Sequence, residues 1–465
     1  MSRNEAVRRR AAQALREGGI FAFGLSEKEH GADIYASDMR LVPQADGGFL
    51  AEGDKYYIGN ANEAALVSVF GRIGEPTAAN KDYVFFAAQP KHPKFDCVRN
   101  VVSSQNYVAE FVLRGYPVAE GEFLSRGQEA WDVSLNTVNV GKFNLGWGSI
   151  GICTHALYES LNHAAKRRLF DHQVTDFVHV QQNLVDAWSR LVAMRLFALR
   201  VSDYLRSASL EDRRYLLYNP LVKMKVTTQG EQVVDLLWDV IAAKGCESDV
   251  YFEMAVRDIR MLPKLEGTVH VNMALAVKFM AKYFFEPKAY PEIGIVDQPR
   301  DDAFLFDQGP ARGLSKIRFH DYHATYEAFA RRSPNVKVFK NQARLLKALL
   351  MVARPSKEQQ EDFDFLLILG ELFTLVVYGQ LILENAKLRG VSDDVVDQIF
   401  DFMVRDFSKY ALQLYSKASS SRRQRALCLA MLAKPVTDRA RQERVLREHV
   451  LSLVDAYEMP RRAGG

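Results

Sequence analysis

A single carboxylate, Glu266, stands between an apolar residue and a Gly-Thr step in Lys264-Leu265-Glu266-Gly267-Thr268, just before the apolar run Val269 to Met280. Apolar neighbours disfavour the charged form of a carboxyl group, so its proton affinity rises toward neutral pH and it can act as a general base. The plainer reading of the same residue is an exposed helix-start carboxylate favoured by the helix dipole. Other reactive residue types form no comparable pattern. His320 and His323 are three apart, with no acidic or cysteine cluster to complete a metal site, so a surface pair and no metal are expected. Gly141-Lys142 lacks the glycine spacing of a phosphate loop. Cys97, Cys153, Cys246 and Cys428 lie far apart, which points to neither a zinc cluster nor a disulfide framework and suits a reducing compartment.

The elements that must position such a base change character along the chain. With 465 residues, 48% hydrophobic and 25% charged, the chain has the composition of a soluble globular protein of two or more domains. A net charge of +4 is too small to make nucleic acid the main partner, and suits a phosphate-bearing small ligand or a lipid surface. The Arg-rich start, Met1 to Gly19, carries Glu5 and Glu17 and no apolar core, so it reads as a short helix, with cytoplasm as the default location. Short apolar runs at Met39 to Val42, Phe49 to Ile58, Leu66 to Ile73, Tyr83 to Ala88 and Val108 to Leu113, separated by turns such as Asp46-Gly47-Gly48, read as strands. From Ala130 the period becomes helical, as in Leu184, Trp188 and Leu191, or Val233, Leu236, Leu237 and Val240. Glu286 to Gly309, rich in Pro, Gly and Asp, reads as a linker, and a second helical region with the stripe Val396, Ile399, Phe400 and Met403 follows. Phe365 to Leu383 approaches membrane-spanning length, yet Glu371, Gln380 and two glycines favour a buried core helix. The basic cluster from Lys417 to Arg425 reads as a solvated helix connection, with an anionic-lipid patch as its alternative.

Several local motifs, in this order, resemble the acyl-CoA dehydrogenases, over about Phe21 to Phe285. Phe23-Gly24-Leu25-Ser26-Glu27 with Gly31-Ala32-Asp33 resembles the family's Thr-Glu-Pro-Gly-x-Gly-Ser-Asp stretch on the flavin face of its β-domain. Gly53-Asp54-Lys55-Tyr56-Tyr57-Ile58-Gly59-Asn60 resembles its Gly-x-Lys-x-Trp-Ile-Thr-Asn strand. Arg167, Phe170 and Gln181 match Arg-x-x-Phe-Gly and its downstream Gln. Arg257-Asp258 followed by Glu266-Gly267-Thr268 resembles the Arg-Asp and Glu-Gly-Thr motifs. The Phe170 to Gln181 spacing, the stretch Asn139 to Phe143 and the added C-terminal helices resemble the very-long-chain branch.

The resemblance implies an α+β, mainly α fold: a helical remnant at 1–20, a β-sheet or barrel domain at 21–122, a four-helix bundle at 123–288, a linker at 289–310 and a C-terminal helical domain at 311–465. It implies FAD as cofactor and an acyl-CoA thioester as substrate, with Glu266 removing the α proton while its backbone N–H, with Gly267 beside it, meets the thioester carbonyl. Ser26, Tyr57, Arg167, Phe170, Gln181, Gly245 and Thr268 are the implied flavin contacts, with Arg167 able to fork onto a pyrophosphate. Arg168 beside it leaves the assignment open to a slip of one residue. Lys142 stands where related enzymes place an Arg near the substrate, its alternative being a snorkelling surface lysine.

The departures are Ala32 for Ser, Tyr57 for Trp, Gly59 for Thr, and a reduced glycine turn, Ala242 to Ser248, in which Glu247 is expected to repel a pyrophosphate. Only Met1 to Gly19 precede the β-domain where relatives carry a helical domain, so a partner chain supplying that wall, a shortened product and a misassigned start are all open. The implied partners are an electron-transfer flavoprotein and a second copy in a homodimer, with peripheral contact at the inner membrane face as a further expectation. Two other readings stand beside the dehydrogenase: a catalytically silent assembly subunit, and an acyl-CoA oxidase.

Overall fold

The computed structural model describes residues 2–31, 33–103, 107–299, 301, 302, 305 and 314–457, so Ala32 and part of the linker lie outside the described residues. The chain divides into two compact units, Met1–Val138 with Ala303–Arg312, and Asn139–Asp302 with Gly313–Gly465.

In the first unit a helix, α1 (Glu5–Arg16), is capped by Asn4, whose Oδ1 accepts from Val7 N and whose Nδ2 donates to Gly121 O and Phe123 O. Eight strands follow: β1 (Phe21–Gly24), β2 (Arg40–Pro43), β3 (Phe49–Gly59), β4 (Leu66–Ile73), β5 (Tyr83–Ala88), β6 (Phe95–Asn100), β7 (Val108–Val118) and β8 (Phe123–Arg126). They form one sheet in the order β6-β7-β3-β2-β4-β5-β8, with β1 parallel to β4. Val67, Val69, Phe70, Phe86 and Phe111 are all fully buried in this unit. Two motif residues meet in it: the Lys55 ammonium, wholly buried, donates to Glu27 Oε1 at 2.6 Å and to Leu25 O at 3.0 Å. Burial pushes the Glu27 carboxyl up, but Lys55, the Ser37 hydroxyl and the Asp38 amide hold it below its usual range.

The second unit is helical. Its elements are α2 (Gln128–Lys166, which begins in the first unit), a two-residue hairpin of β9 (Arg168–Leu169) and β10 (His172–Gln173), α3 (Val178–Arg206), α4 (Tyr215–Leu221), α5 (Thr227–Ile241), α6 (Phe252–Ile259), α7 (Val269–Ala276) and α8 (Met280–Phe285). After the linker come α9 (Tyr322–Ala330), α10 (Pro334–Val352), α11 (Lys357–Glu361), α12 (Phe363–Arg389), α13 (Asp393–Tyr415), α14 (Arg422–Met431) and α15 (Arg439–Val445). The fold is therefore α+β and mainly α. Leu184, Val233, Val396, Ile399, Phe400 and Met403 are buried at the positions the helical period marks, and Trp188 and Leu191 are nearly so.

The apolar helix α12 is long and apolar enough to cross a membrane, but 78% of its most apolar window is buried inside the protein. Its Glu371 faces the buried Lys225 at 4.0 Å, an arrangement that serves a helix–helix seam. Arg190 on α3 reaches Asp406 on α13 through two bonds of 2.8 and 3.1 Å, joining the bundle to the C-terminal helices. The basic cluster is solvent-facing: Arg422, Arg423 and Arg425 are exposed around the start of α14, capped by Ser421.

One expectation is overturned. His320 does not form a surface pair with His323. It lies between Arg214, 2.7 Å from its Nδ1, and Glu384, 2.6 Å from its Nε2, because the chain after the linker folds back onto α3 and α12. Arg200 and Tyr204 each donate to the other oxygen of Glu384 at 2.9 Å, so the carboxylate is fully engaged.

Candidate active site

Glu266 lies in the connection between α6 and α7, two residues before Thr268, the N-cap of α7, whose hydroxyl accepts from Val271 N. Its backbone is left-handed, φ +50°, followed by Gly267 at φ +78°. A residue with a Cβ adopts this conformation at a cost of about 1 kcal/mol or more, and such strain concentrates at functional positions. The carboxylate packs on the backbone of α2 at Gly141: a Cβ built there would stand 3.2 Å from Glu266 Cδ and 3.3 Å from Oε1. A side chain at 141 would press on the carboxylate, which makes this glycine a seat.

Two lysines complete the cluster. Lys142, next along α2, is half-buried, and burial lowers its proton affinity while Glu266 opposes that. Lys223 is wholly buried; it sits in a π-turn, Val222–Val226, between α4 and α5. That turn approaches α2 closely because position 146 is glycine: a Cβ there would meet Val222 Cγ1 at 2.3 Å. Lys223 Nζ donates to Pro263 O at 2.7 Å and to Gly267 O at 2.5 Å. Burial first, then the like charges of Lys142 and Lys264, pulls Lys223 down to about 7, with Glu266 opposing.

Glu266 is exposed to solvent as a residue, while its carboxyl end packs against α2 at Gly141. Burial of that end raises its carboxyl above the usual range, and Lys142 and Lys223 pull it partly back. The result is an accessible carboxylate with enhanced basicity and two adjacent cations that limit the shift. Such a group can take a proton from a weakly acidic carbon held near it. Lys223 carries no sequence motif and was not expected; its bonds to backbone carbonyls 40 residues on leave no local signal.

The other expected residues lie in several places. Arg167 is exposed just after α2, its guanidinium 3.4 Å from His163 Nε2, whereas Arg168 is committed to its own hairpin through Asp171 O at 2.8 Å. Arg167, Lys166, His163 and Asn162 line an open pocket of about 360 Å³. Phe170 is 87% exposed at φ +52°, forming with Asp171 the turn between β9 and β10. Gln181 donates to Thr175 O at 3.0 Å. Gly245 is buried where a Cβ would meet Ile241 and Phe252 at 2.8 and 2.9 Å. Glu247 is ion-paired with Lys244, a cation it shares with Asp249 at 3.4 Å.

On the first unit, Ser26 is half-buried and its carbonyl accepts from Tyr56 N at 3.0 Å. Tyr57 is 62% exposed at φ +61°, on a bulge between Lys55 and Ile58 where β3 slips against β7. A Cβ at Gly59 would meet nothing. A larger cavity of about 550 Å³, lined by Tyr283, Tyr322, Lys340, Arg344 and Lys347, contains none of the residues around Glu266.

The family model described as acyl-CoA dehydrogenase, C-terminal domain, matches residues 129–281, the stretch that holds Gly141, Lys223 and Glu266. A probable short/branched chain specific acyl-CoA dehydrogenase of Dictyostelium discoideum is 21% identical over 271 residues, covering 57% of this chain and 64% of that protein. Residues 129–281 belong to the acyl-CoA dehydrogenase C-terminal domain family. The mitochondrial short-chain specific acyl-CoA dehydrogenase of Sus scrofa is 22% identical, and the match again spans 64% of that relative's length. Among solved structures, the acyl-CoA dehydrogenase complexed with FAD from Bacillus anthracis aligns with a TM-score of 0.69 at 14% identity, covering 93% of this chain and 75% of that one. Butyryl-CoA dehydrogenase from Megasphaera elsdenii aligns with a TM-score of 0.53 at 18% identity, over 59% of this chain and 71% of that one. At these identities the structural likeness establishes the acyl-CoA dehydrogenase fold.

Proposed function

We propose that this protein is an FAD-dependent acyl-CoA dehydrogenase that removes hydrogen across the α and β carbons of an acyl thioester, with Glu266 as the base. The observation that carries the reading is the Glu266 carboxylate itself: raised above the ordinary range, reachable by solvent, and seated on Gly141 between two lysines. The residues suit a flavin dinucleotide. Arg167 is an exposed guanidinium beside an open pocket, in no ion pair among the described residues, the donor chemistry a diphosphate needs. The Thr268 hydroxyl accepts from Val271 N and keeps its own proton to donate to a polar flavin edge. Gln181, Phe170 and Gly245 on the second unit, and Ser26 and Tyr57 on the first, are assigned to flavin contact by their matched motif positions. A bound flavin supplies the acceptor for the hydride that leaves the β carbon.

The chain's own work is to hold the thioester and take the proton. As the α C–H bond breaks, the proton passes to a Glu266 carboxylate oxygen and negative charge builds on the thioester oxygen. The backbone N–H of Glu266 stabilises that charge. Lys142 adds a cation near the acyl-CoA. The proposed electron acceptor is an electron-transfer flavoprotein, and the assembly a homodimer. Thr268, where an acidic residue would follow Glu-Gly in the oxidase reading, supports the dehydrogenase.

The test is substrate-dependent bleaching of the purified, FAD-loaded protein by a series of acyl-CoA thioesters, with Glu266→Gln alongside. A positioned base contributes typically 10²- to 10⁴-fold, so bleaching is expected to slow by about that factor while flavin stays bound. A protein that takes up no flavin, or a Glu266→Gln variant that bleaches at the parent rate, refutes the reading.

A further inference from the structure

We infer that Lys223 is a positioning residue for the base, tying both ends of the turn that carries Glu266 and holding the carboxylate on its Gly141 seat. The inference rests on the reading of Glu266 as the base. Pro263 and Gly267, whose carbonyls receive the Lys223 bonds, bracket Glu266 within five residues. Asn272 adds bonds of 3.1 and 2.9 Å to the carbonyls of Gly267 and Thr268 from the α7 side. A turn held at φ +50° on a non-glycine residue relaxes unless its surroundings over-determine it, and these four bonds do so.

The choice of lysine is informative. Its ammonium is buried, with carbonyl oxygens and, among the described residues, no carboxylate as hydrogen-bond partners, a costly arrangement for a group whose only task is packing. The π-turn supplies the geometry: Pro220 inside α4 lacks an N–H, and Thr227 Oγ1 caps the Lys223 carbonyl at 2.5 Å. The charge also acts on Glu266. The titratable groups acting on that carboxylate within the second unit are Lys142 from α2 and Lys223 from the π-turn. Lys264 acts on Lys223 from the turn itself and is paired with Glu231 at 3.7 Å. Lys223 thus fixes where the base sits and limits how far its proton affinity rises.

Lys223→Met and the shorter, uncharged but still hydrogen-bonding Lys223→Gln are compared with the parent and with Asn272→Ala, which frees the same turn without removing a charge. Hydrogen exchange of residues 263–268 is expected to accelerate in both Lys223 variants and in Asn272→Ala. In the Lys223 variants kcat should fall roughly tenfold to a hundredfold, the cost of displacing a reacting group by up to an ångström, with KM little changed. Their acidic limb of kcat/KM should move to higher pH, because a cation that lowers the Glu266 carboxyl is gone, whereas Asn272→Ala leaves that limb in place. Lys223→Gln carries the test if Lys223→Met does not fold. Unchanged exchange in 263–268 with an unmoved limb overturns the inference, as does an equal shift in Asn272→Ala. If the parent never bleaches with acyl-CoA, the reading of Glu266 fails instead, and the exchange comparison still decides whether Lys223 ties the turn.

Discussion

Gly141→Ala separates stability from chemistry at one atom. Gly141 lies inside the long helix α2, where alanine is favoured over glycine by about 0.8–1 kcal/mol through backbone entropy. The added methyl would stand 3.2, 3.3 and 3.5 Å from the Cδ and two oxygens of Glu266, closer than ordinary van der Waals contact at the first two. The carboxylate must give by a few tenths of an ångström, and it is the free end of a side chain, so the helix keeps most of its gain. A one-ångström misplacement costs about a hundredfold in rate, so a shift of this size should cost roughly threefold to tenfold in kcat. Gly151→Ala is the control, in the same helix with open space around its Cβ. Thermal unfolding and dye-coupled dehydrogenation are measured on both. The expected result is that both variants melt at or above the parent temperature and only Gly141→Ala loses rate. Equal kcat in the two, or a Gly141→Ala protein that is destabilised by more than about 1 kcal/mol, refutes the seat argument.

Further predictions follow from other sites. Arg167→Ala should weaken FAD retention, read by flavin released on dilution, while Arg168→Ala should leave it near the parent value because that guanidinium serves its own hairpin. Glu384 is held at about 2 against an ordinary 4.5, its burial outweighed by His320 and Arg200, so its contribution is full above pH 4.5 and is lost as pH falls toward 2. That shift corresponds to about 3 kcal/mol; acid unfolding of Glu384→Gln should show a shallower loss over that window, from a lower starting stability at pH 7. Gly245→Ala forces a methyl against Ile241 and Phe252 and should cost about 1–3 kcal/mol by overpacking, measured by urea unfolding.

Much of the fold was legible because hydrophobic period is a strong signal over long segments. The strand Leu66–Ile73, the strand Tyr83–Ala88 and the stripe Val396 to Met403 stand where the pattern puts them. Five strands escaped notice: the two-residue β9 and β10, too short to carry a pattern, and three others for their own physical reasons. Phe21–Gly24 and Phe123–Arg126 are four residues long, and Phe95–Asn100 is an exposed edge whose side chains alternate no apolar face. Within the candidate site, Glu266 could be found because its chemistry is local. Lys223 could not, since its partners are carbonyls, which every sequence offers everywhere. Nor could His320, whose partners come from α3, α12 and the segment before α4, over 60 residues away in either direction. The pairing of Lys55 with Glu27 explains two motif positions as one buried bond, a link visible only once strands align.

The left-handed backbone at Glu266 has a consequence for how this site changes over time. Glycine occupies φ +50° at little cost, and asparagine tolerates it better than glutamate does. Replacing Glu266 with glycine should therefore make the chain more stable while removing the proposed base. On the proposed reading, loss of the base is downhill for the fold, so a lineage freed from that reaction would shed Glu266 early while keeping Gly141 and the helices intact. The glutamate in this chain stands against its own conformational preference.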